Sequence, residues 1–280
     1  MDQVEWNRAL AQLMWQVELG AVDALGADPI DRYALPVSAP ALATPPASPP
    51  SVQTDSAPRM AGAPAASAPP VSAPPLVKVT EADVTRALAH EAKDLEALRR
   101  AMAEYDGCEL KKGARNLVFS DGNSAADVMV IGEAPGKDED HAGRPFIGPA
   151  GQLLDKMFAA IGRTREATVA QEAMYLTNVM PWRLPQNRDP LEDEIDMMVP
   201  FVRRHIALVR PKVIVLMGNI ACKALLGQTG ITQLRGTWTE VEAIPALPML
   251  HPAYLLRRPD AKADTWRDLK AVMAKLKEVS

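Results

Sequence analysis

Four short apolar runs that lack in-and-out alternation constrain the fold of this chain more than any other feature. Helix-like segments follow each of them along the chain. Strands that helices cover on both faces have this pattern, because neither face meets water. The sequence therefore predicts a three-layer α/β/α domain with a central parallel sheet of about four strands. The runs are Val128–Ile131, Met174–Val179, Val213–Met217 and Leu247–Leu250.

Two segments precede this domain. Twelve of the 25 prolines fall between Pro36 and Pro75, and a Pro/Ala/Ser tract buries too little apolar surface to fold. We therefore predict a disordered linker at 31–78 and a compact domain at 79–280, which opens with a helix from Thr80 to about Tyr105. Residues 1–30 carry apolar residues at helical spacing. This short amphipathic helix docks on its own domain, is disordered, or recruits another protein.

Composition narrows the function classes. No stretch reaches the roughly 18 apolar residues of a membrane span, so we expect a cytoplasmic protein that has no membrane contact. We also expect a monomer. The two cysteines are too few for a disulfide framework or a four-cysteine metal site. A net charge of −4 argues against a protein that coats nucleic acid. It is compatible with an enzyme that contacts a few phosphates.

The first apolar run leads directly into the segment Gly132–Gly136, whose two glycines and proline predict a tight turn. Its sequence is neither GxxxxGK[ST] nor GxGxxG. The acidic run Lys137–Asp140 follows and would repel a triphosphate. A nucleotide-binding α/β domain is therefore disfavoured. In an open parallel sheet the ligand crevice lies beyond the carboxyl ends of the strands, and this turn lies there.

Three further side chains lie at or near predicted strand ends. Phe146 stands in a glycine-rich loop, either to stack on a ligand or to anchor the loop in the core. Asn178 ends the second strand, where its carboxamide reads the edge of a base or forms a turn. His251 ends the last strand as a ligand contact or a helix start. The leucines and arginines that follow suit a wedge into a base stack.

These motifs together resemble the family 4 uracil-DNA glycosylases, from about Cys108 to the C-terminus. The resemblance implies a DNA repair enzyme that hydrolyses the N-glycosidic bond of uracil after base flipping, as the first step of base excision repair. It implies uracil-containing DNA, single- or double-stranded, as the substrate. The matching stretches are Gly132–Leu154, Asn178–Pro190, Arg210–Gly218 and His251–Arg257.

The resemblance also assigns roles in base binding. Gly132 and Ala134 belong to the pocket floor, which positions the attacking water. Phe146 stacks on the uracil ring, Asn178 reads its polar edge, and Glu139 lies near C5 and discourages thymine.

Bond breakage and DNA contact involve further residues by resemblance. His251 hydrogen-bonds uracil O2 as the bond breaks, which is help of the oxyanion type. Leu255 fills the gap left by the flipped nucleotide, and Arg257 contacts the DNA backbone. The polar loop that contains Arg188 meets phosphate or sugar.

The group that activates water is left open. Ala134 stands where another family of uracil glycosylases has an aspartate. Glu133 is the nearest carboxylate, and it either assists the water or hydrogen-bonds the backbone to brace the turn. Asn187 matches a polar residue of the family motif and is a further catalytic candidate.

The metal site is where the sequence departs from the family, whose members typically hold a four-iron cluster with four cysteines. Cys108 keeps the second ligand position, whereas Tyr105, Trp182 and Met198 stand at the other three. We therefore predict no cofactor and no metal. The three large side chains are expected to fill the vacated volume around Cys108.

Loss of the cluster also suggests a second function. The alternative is a catalytically weak protein that binds damaged DNA and is recruited to a repair partner through its N-terminal segment. Cleavage of a uracil-containing oligonucleotide distinguishes the two.

Overall fold

The structure is a computed structural model that describes residues 80–279 and, ahead of them, residues 5, 9–12 and 14. The predicted linker at 31–78 and most of the predicted N-terminal helix lie outside the described residues. The described N-terminal residues are helical, and the Gln12 side chain donates a hydrogen bond to the Ala160 carbonyl oxygen (3.0 Å). Within the described residues, no helix is both long and apolar enough to cross a membrane.

The described residues form one six-stranded sheet with the order β1-β3-β2-β4-β6-β5. The central four strands are parallel, as the apolar runs predict. The edge strands β1 and β5 pair antiparallel with their neighbours and were not predicted, because two or three residues give no periodicity. The strands are β1 Asp121–Gly122, β2 Val128–Gly132, β3 Met174–Asn178, β4 Val213–Met217, β5 Thr239–Val241 and β6 Ile244–Met249.

Helices cover both faces of this sheet, which confirms the three-layer prediction. The helices are α1 Glu81–Glu91, α2 Leu95–Glu104, α3 Leu110–Gly113, α4 Lys137–Ala142, α5 Pro149–Ala159, α6 Glu192–Val209, α7 Asn219–Leu226, α8 Ile231–Leu234, α9 Pro252–Arg257 and α10 Lys262–Glu278. One apolar cluster joins α1, α2, α6 and α7 to one face. The second joins α5, α9 and α10 to the other face.

The helical segment at the start of the domain differs from the prediction in one respect. A capping box begins α1, since Thr80 Oγ1 accepts from the Asp83 amide and the Asp83 carboxylate accepts from the Thr80 amide. The single helix predicted to run to Tyr105 is wrong. The Asp94 carboxylate accepts from the Ala97 amide (2.7 Å) and begins α2 as a separate helix.

The register of the sheet brings the candidate residues to one edge. Gly132 pairs with Asn178 at the ends of β2 and β3. Met217 pairs with Met249 near the ends of β4 and β6, and the Gly218 amide donates to the Met249 carbonyl (2.9 Å). From β2 the chain leads to β3 on one side of β2, and from β3 it crosses over to β4 on the other side. A crevice at this carboxyl edge is where open α/β sheets bind ligands.

Candidate active site

Gly132 is the point at which the candidate site comes together. A Cβ at this position would lie 2.4 Å from Asn178 Oδ1 and 2.4 Å from Phe146 Cζ. Only glycine leaves room for both side chains, so the amide and the ring converge directly above the backbone of β2. We call Gly132, Phe146, Asn178 and His251 the base pocket.

Phe146 anchors its loop in the core, and its stacking on a ligand stays a prediction. Its side chain is 5% exposed and belongs to the apolar cluster that contains α5. Its ring also faces His251, with 6.0 Å between the ring centroids and 30° between the planes. The backbone of Phe146 has a φ of 55°, in the left-handed region that a phenylalanine rarely adopts. The loop therefore holds this ring at the pocket against a local conformational cost.

Glu139 connects the turn after β2 to the Phe146 loop. Its Oε2 accepts from the Gly136 amide (3.1 Å), and its Oε1 accepts from the amides of Ile147 (3.0 Å) and Gly148 (2.9 Å). Hydrogen bonds from three amides fix a carboxylate firmly. Glu139 thus braces the pocket wall, a task that its sequence position did not indicate. Its discrimination against thymine stays a prediction.

His251 is held as a neutral imidazole. It is the N-cap of α9, and its Nδ1 accepts from the Ala253 amide (3.2 Å). Burial lowers the pKa of His251 to about 4, and the charge of Arg257 acts in the same direction. Because Nδ1 accepts, the single proton of the neutral ring is assigned to Nε2. The imidazole therefore offers one N–H donor to the pocket.

Glu133 lies half-buried immediately after β2. Burial raises the pKa of its carboxyl group, and the nearby Asp189 adds to this effect. Among the residues that the structure describes, none hydrogen-bonds this carboxylate. The bracing interpretation of Glu133 lacks its hydrogen bond, and the brace is Glu139. A desolvated carboxylate without a fixed partner is suited to orienting water.

The loop after β3 carries the remaining polar candidates. Gln186 and Asn187 both adopt left-handed φ values, and Asn187 Oδ1 accepts from Arg183 at 3.3 and 3.4 Å. Arg188 forms a bidentate ion pair with Glu194 at 2.6 and 2.8 Å. Its guanidinium therefore supports the start of α6. Contact of Arg188 with DNA stays a prediction.

The predicted wedge residue requires a correction. Leu255 is 0% exposed and packs in the cluster that contains α5 and α10. Pro252 is buried three residues earlier, so both side chains lie on the inner face of α9. The exposed apolar residue is Leu256, at 48%. A side chain that enters a base stack must be accessible, and Leu256 meets this requirement.

The four residues that the resemblance assigns to cluster-ligand positions all lie in the protein core. Tyr105, Cys108, Trp182 and Met198 all belong to the apolar cluster that contains α1 and α6, and each is at most 6% exposed. The Tyr105 hydroxyl donates to Glu81 Oε2 (2.8 Å). We call these four residues the apolar plug. A single thiol among three apolar side chains does not fit a four-iron cluster, which needs thiolate ligands.

An aromatic ring, a carboxamide and a neutral imidazole at the carboxyl edge of a doubly wound sheet define a protein that binds a flat, polar heterocycle. The chain belongs to the uracil DNA glycosylase superfamily, whose family model matches residues 119–270.

Relatives agree with this family. A type-4 uracil-DNA glycosylase of Archaeoglobus fulgidus is 35% identical over 189 residues, which are 64% of this chain and 92% of the relative. A protein of the same name from Sulfurisphaera tokodaii is 35% identical over 64% of this chain and 83% of the relative. The corresponding protein of Thermotoga maritima is 32% identical over 58% and 83%.

Sequence reasoning missed two residues near this edge. Leu256 follows Leu255 directly, and the motif alone did not show which of the two side chains is exposed. Arg165 was not detectable, because it stands in a connection between α5 and β3 that carries no motif, yet its side chain reaches the Phe146 loop.

Proposed function

We propose that this chain is a uracil-DNA glycosylase, which hydrolyses the N-glycosidic bond between uracil and deoxyribose and so starts base excision repair. The observation that carries the proposal is that Phe146 and Asn178 converge above Gly132, while the Phe146 ring faces the His251 imidazole. A base in a duplex does not reach such a narrow edge pocket, so the target nucleotide is flipped out. The names of the relatives support the same reaction.

Recognition of uracil rests on three side chains. Phe146 stacks on the flat ring, and the Asn178 carboxamide donates and accepts along the polar edge of the base. Glu139 is fixed by three amides in the turn that contains Gly136 and in the Phe146 loop. A carboxylate at a fixed height beside C5 would leave little room for a methyl group, in line with discrimination against thymine.

Breakage of the bond leaves negative charge on the departing base. His251 is neutral and has its N–H at Nε2, so it donates a hydrogen bond to uracil O2 as a neutral donor. A donor placed where charge develops contributes about 2.7–4 kcal/mol to transition-state stabilisation. We assign this role to His251.

Water attack is assigned to the turn after β2. Ala134 offers no carboxylate, and Glu133 carries a carboxyl group with a raised pKa and without a hydrogen-bond partner among the described residues. Glu133 therefore orients the water. Asn187 is a candidate for a second polar contact, because its left-handed backbone projects from the loop after β3.

DNA binding involves α9 and the loop before α6. Leu256 is the wedge that occupies the vacated position in the stack, while Arg257 and Arg188 contact phosphates. Leu255→Ala and Leu256→Ala form a matched pair. Leu255→Ala should lower the free energy of unfolding by about 2–5 kcal/mol. Leu256→Ala should leave it within about 0.5 kcal/mol and weaken binding to uracil-containing duplex. The reverse pattern would reinstate Leu255 as the wedge.

We propose that the enzyme works without an iron–sulfur cluster. Support comes from the apolar plug, since three of its four side chains offer no thiolate. Among the described residues there is also no group of three or more metal-ligating side chains. Anaerobically purified protein should lack the absorbance near about 400 nm and the roughly four irons per chain of a cluster protein. Finding both would overturn this proposal.

An excision assay tests the function directly. A labelled oligonucleotide with one uracil is incubated with the protein and then treated with alkali, which cleaves the strand at an abasic site. We expect cleavage with uracil and none with thymine, and we expect Asn178→Ala to cut turnover at least about tenfold, equivalent to about 1.4 kcal/mol. Binding of the oligonucleotide without cleavage would instead support the accessory damage-binding protein.

The remaining predictions concern context. We propose a monomer that acts on genomic DNA in the cytoplasm, in single or double strands. The Gln12 contact with Ala160 supports docking of the N-terminal helix on its own domain. Recruitment of a protein partner by this helix stays an alternative.

A further inference from the structure

The Phe146 loop depends on support from outside its own sequence. Phe146 has a φ of 55°, and a left-handed backbone at a bulky residue persists only where surrounding structure holds it. The backbone amides of the next two residues, Ile147 and Gly148, donate hydrogen bonds to Glu139 Oε1. The carbonyl oxygens of Pro145 and Phe146 need a separate partner, because a carboxylate has no proton to donate to them.

Arg165 supplies that partner. Its side chain is 5% exposed, and Nη2 donates to the Phe146 carbonyl (2.7 Å) while Nη1 donates to the Pro145 carbonyl (3.1 Å). The other face of the guanidinium is fixed by Asp155 Oδ1 (2.7 and 2.9 Å) and Asp121 Oδ2 (2.7 Å). All three guanidinium nitrogens are therefore used, and the planar fork is fixed in one orientation.

The backbone of α5 closes the remaining space around this carbonyl. A Cβ at Gly151 would lie 1.9 Å from the Phe146 carbonyl oxygen. The helix thus packs against the loop at a distance that only glycine permits. The close packing of α5 and the hydrogen bonds from Arg165 together restrict the position of the Phe146 carbonyl.

We infer that Arg165 is the positioning residue for the stacking ring: it holds the Phe146 carbonyl from inside the protein while Glu139 holds the following amides, and so sets the height of the ring over uracil. This inference rests on the proposed function for its effect on activity. The hold on the loop itself does not, because every contact lies within the chain.

Arg144 provides a matched control. It pairs with the same Asp121 oxygen (2.9 Å), but its side chain is 57% exposed, and among the described residues it donates to no carbonyl of the Phe146 loop. A role that consists only of neutralising Asp121 would be shared by both arginines. A positioning role belongs to Arg165 alone.

The test compares Arg165→Lys with Arg144→Met. Lysine keeps the positive charge between Asp121 and Asp155, but its three donors cannot replace the five hydrogen bonds that Arg165 makes to two carbonyls and two carboxylates. We expect Arg165→Lys to lower kcat/KM for a uracil-containing oligonucleotide about tenfold or more, since small misplacements near the reacting atoms have large effects. The inhibition constant for free uracil should rise in the same variant. Arg144→Met should change neither.

Two further measurements separate positioning from general stability. Hydrogen exchange at the Ile147 and Gly148 amides should accelerate in Arg165→Lys and stay at the wild-type rate in Arg144→Met. In a Phe146→Ala background, Arg165→Lys should cause little additional loss, because the residue through which it acts is gone. If Arg165→Lys does not fold, the double variant Arg165→Met, Asp155→Leu takes its place in these tests. It removes one positive and one negative charge together.

The outcomes are distinct. Wild-type exchange in Arg165→Lys, or an undiminished loss in the Phe146→Ala background, would overturn the inference. If the wild-type protein releases no uracil, the proposed function fails, and the exchange rates alone still decide whether Arg165 holds the loop.

Discussion

The base pocket and the apolar plug come within four residues of each other along the chain, but they differ in what they require of their side chains. Asn178 of the pocket and Trp182 of the plug stand four residues apart, on either side of the bend after β3. In the pocket, individual polar atoms are fixed by backbone groups, such as Nδ1 of His251 by the Ala253 amide. In the plug, the side chains of Tyr105, Trp182 and Met198 fill space in the core, and each is at most 6% exposed. Chemistry requires particular atoms at particular points, whereas support requires filled volume.

The strongest test of this contrast is His251→Ala. Loss of the donor to uracil O2 should lower kcat by about 10²–10³-fold. The lost N-cap of α9 should cost only about 1 kcal/mol of unfolding free energy. Single-turnover excision and chemical denaturation measure the two effects. A variant with wild-type kcat would remove His251 from the pocket chemistry.

The converse test truncates the plug. Met198 is 0% exposed, so Met198→Ala should lower the free energy of unfolding by about 2–5 kcal/mol. Turnover of the protein that remains folded at 25 °C should stay close to wild type. Asp196→Ala, at an exposed position of the same helix, is the control and should change stability by less than about 0.5 kcal/mol. A large loss of turnover in folded Met198→Ala would mean that the plug takes part in the chemistry.

A smaller change to the pocket is Gly132→Ala. The added methyl would press on Asn178 Oδ1 and Phe146 Cζ, and we expect kcat/KM to fall about 10²-fold because both groups are displaced. Gly113→Ala is the matched control, since a Cβ there meets nothing within 4 Å. Equal kcat/KM in the two variants would show that the pocket tolerates the methyl group.

The smallest effect concerns a histidine that is held neutral outside the base pocket. His205 is buried, its Nε2 lies 2.7 Å from the Tyr175 hydroxyl, and its ring stacks on Phe119 at 4.5 Å. Burial lowers the pKa of His205 to about 3. Between pH 6.5 and about pH 3, His205 binds a proton in the unfolded chain but not in the folded chain. Stability should therefore fall as pH falls, by up to about 1.4 kcal/mol per pH unit.

Denaturant unfolding at several pH values measures this slope. His205→Gln should make it shallower, because glutamine does not titrate. His251 has a lowered pKa as well and contributes part of the slope. An unchanged slope in His205→Gln would assign the pH dependence of stability to other groups.

Several features were predictable from the sequence because they depend on local pattern. The four parallel strands follow from continuous apolar runs, and Gly132, Asn178 and His251 stand at or just beyond strand ends. Parallel strands bring such ends to one edge whatever the loops do. The burial of Leu255 was not predictable, because a motif gives residue order, while exposure depends on which face of α9 packs inward.

The sequence by itself determined the layer architecture, the edge that carries the pocket and the substitutions at the cluster positions. All of these follow from residue type and short-range spacing. Only the tertiary structure decided that Glu139 and Arg165 hold Phe146 from two sides, that Leu256 is the exposed leucine, and that the plug closes as one cluster. The physical reason is distance along the chain: Arg165 reaches Asp121 across 44 residues, and no local pattern encodes such a contact.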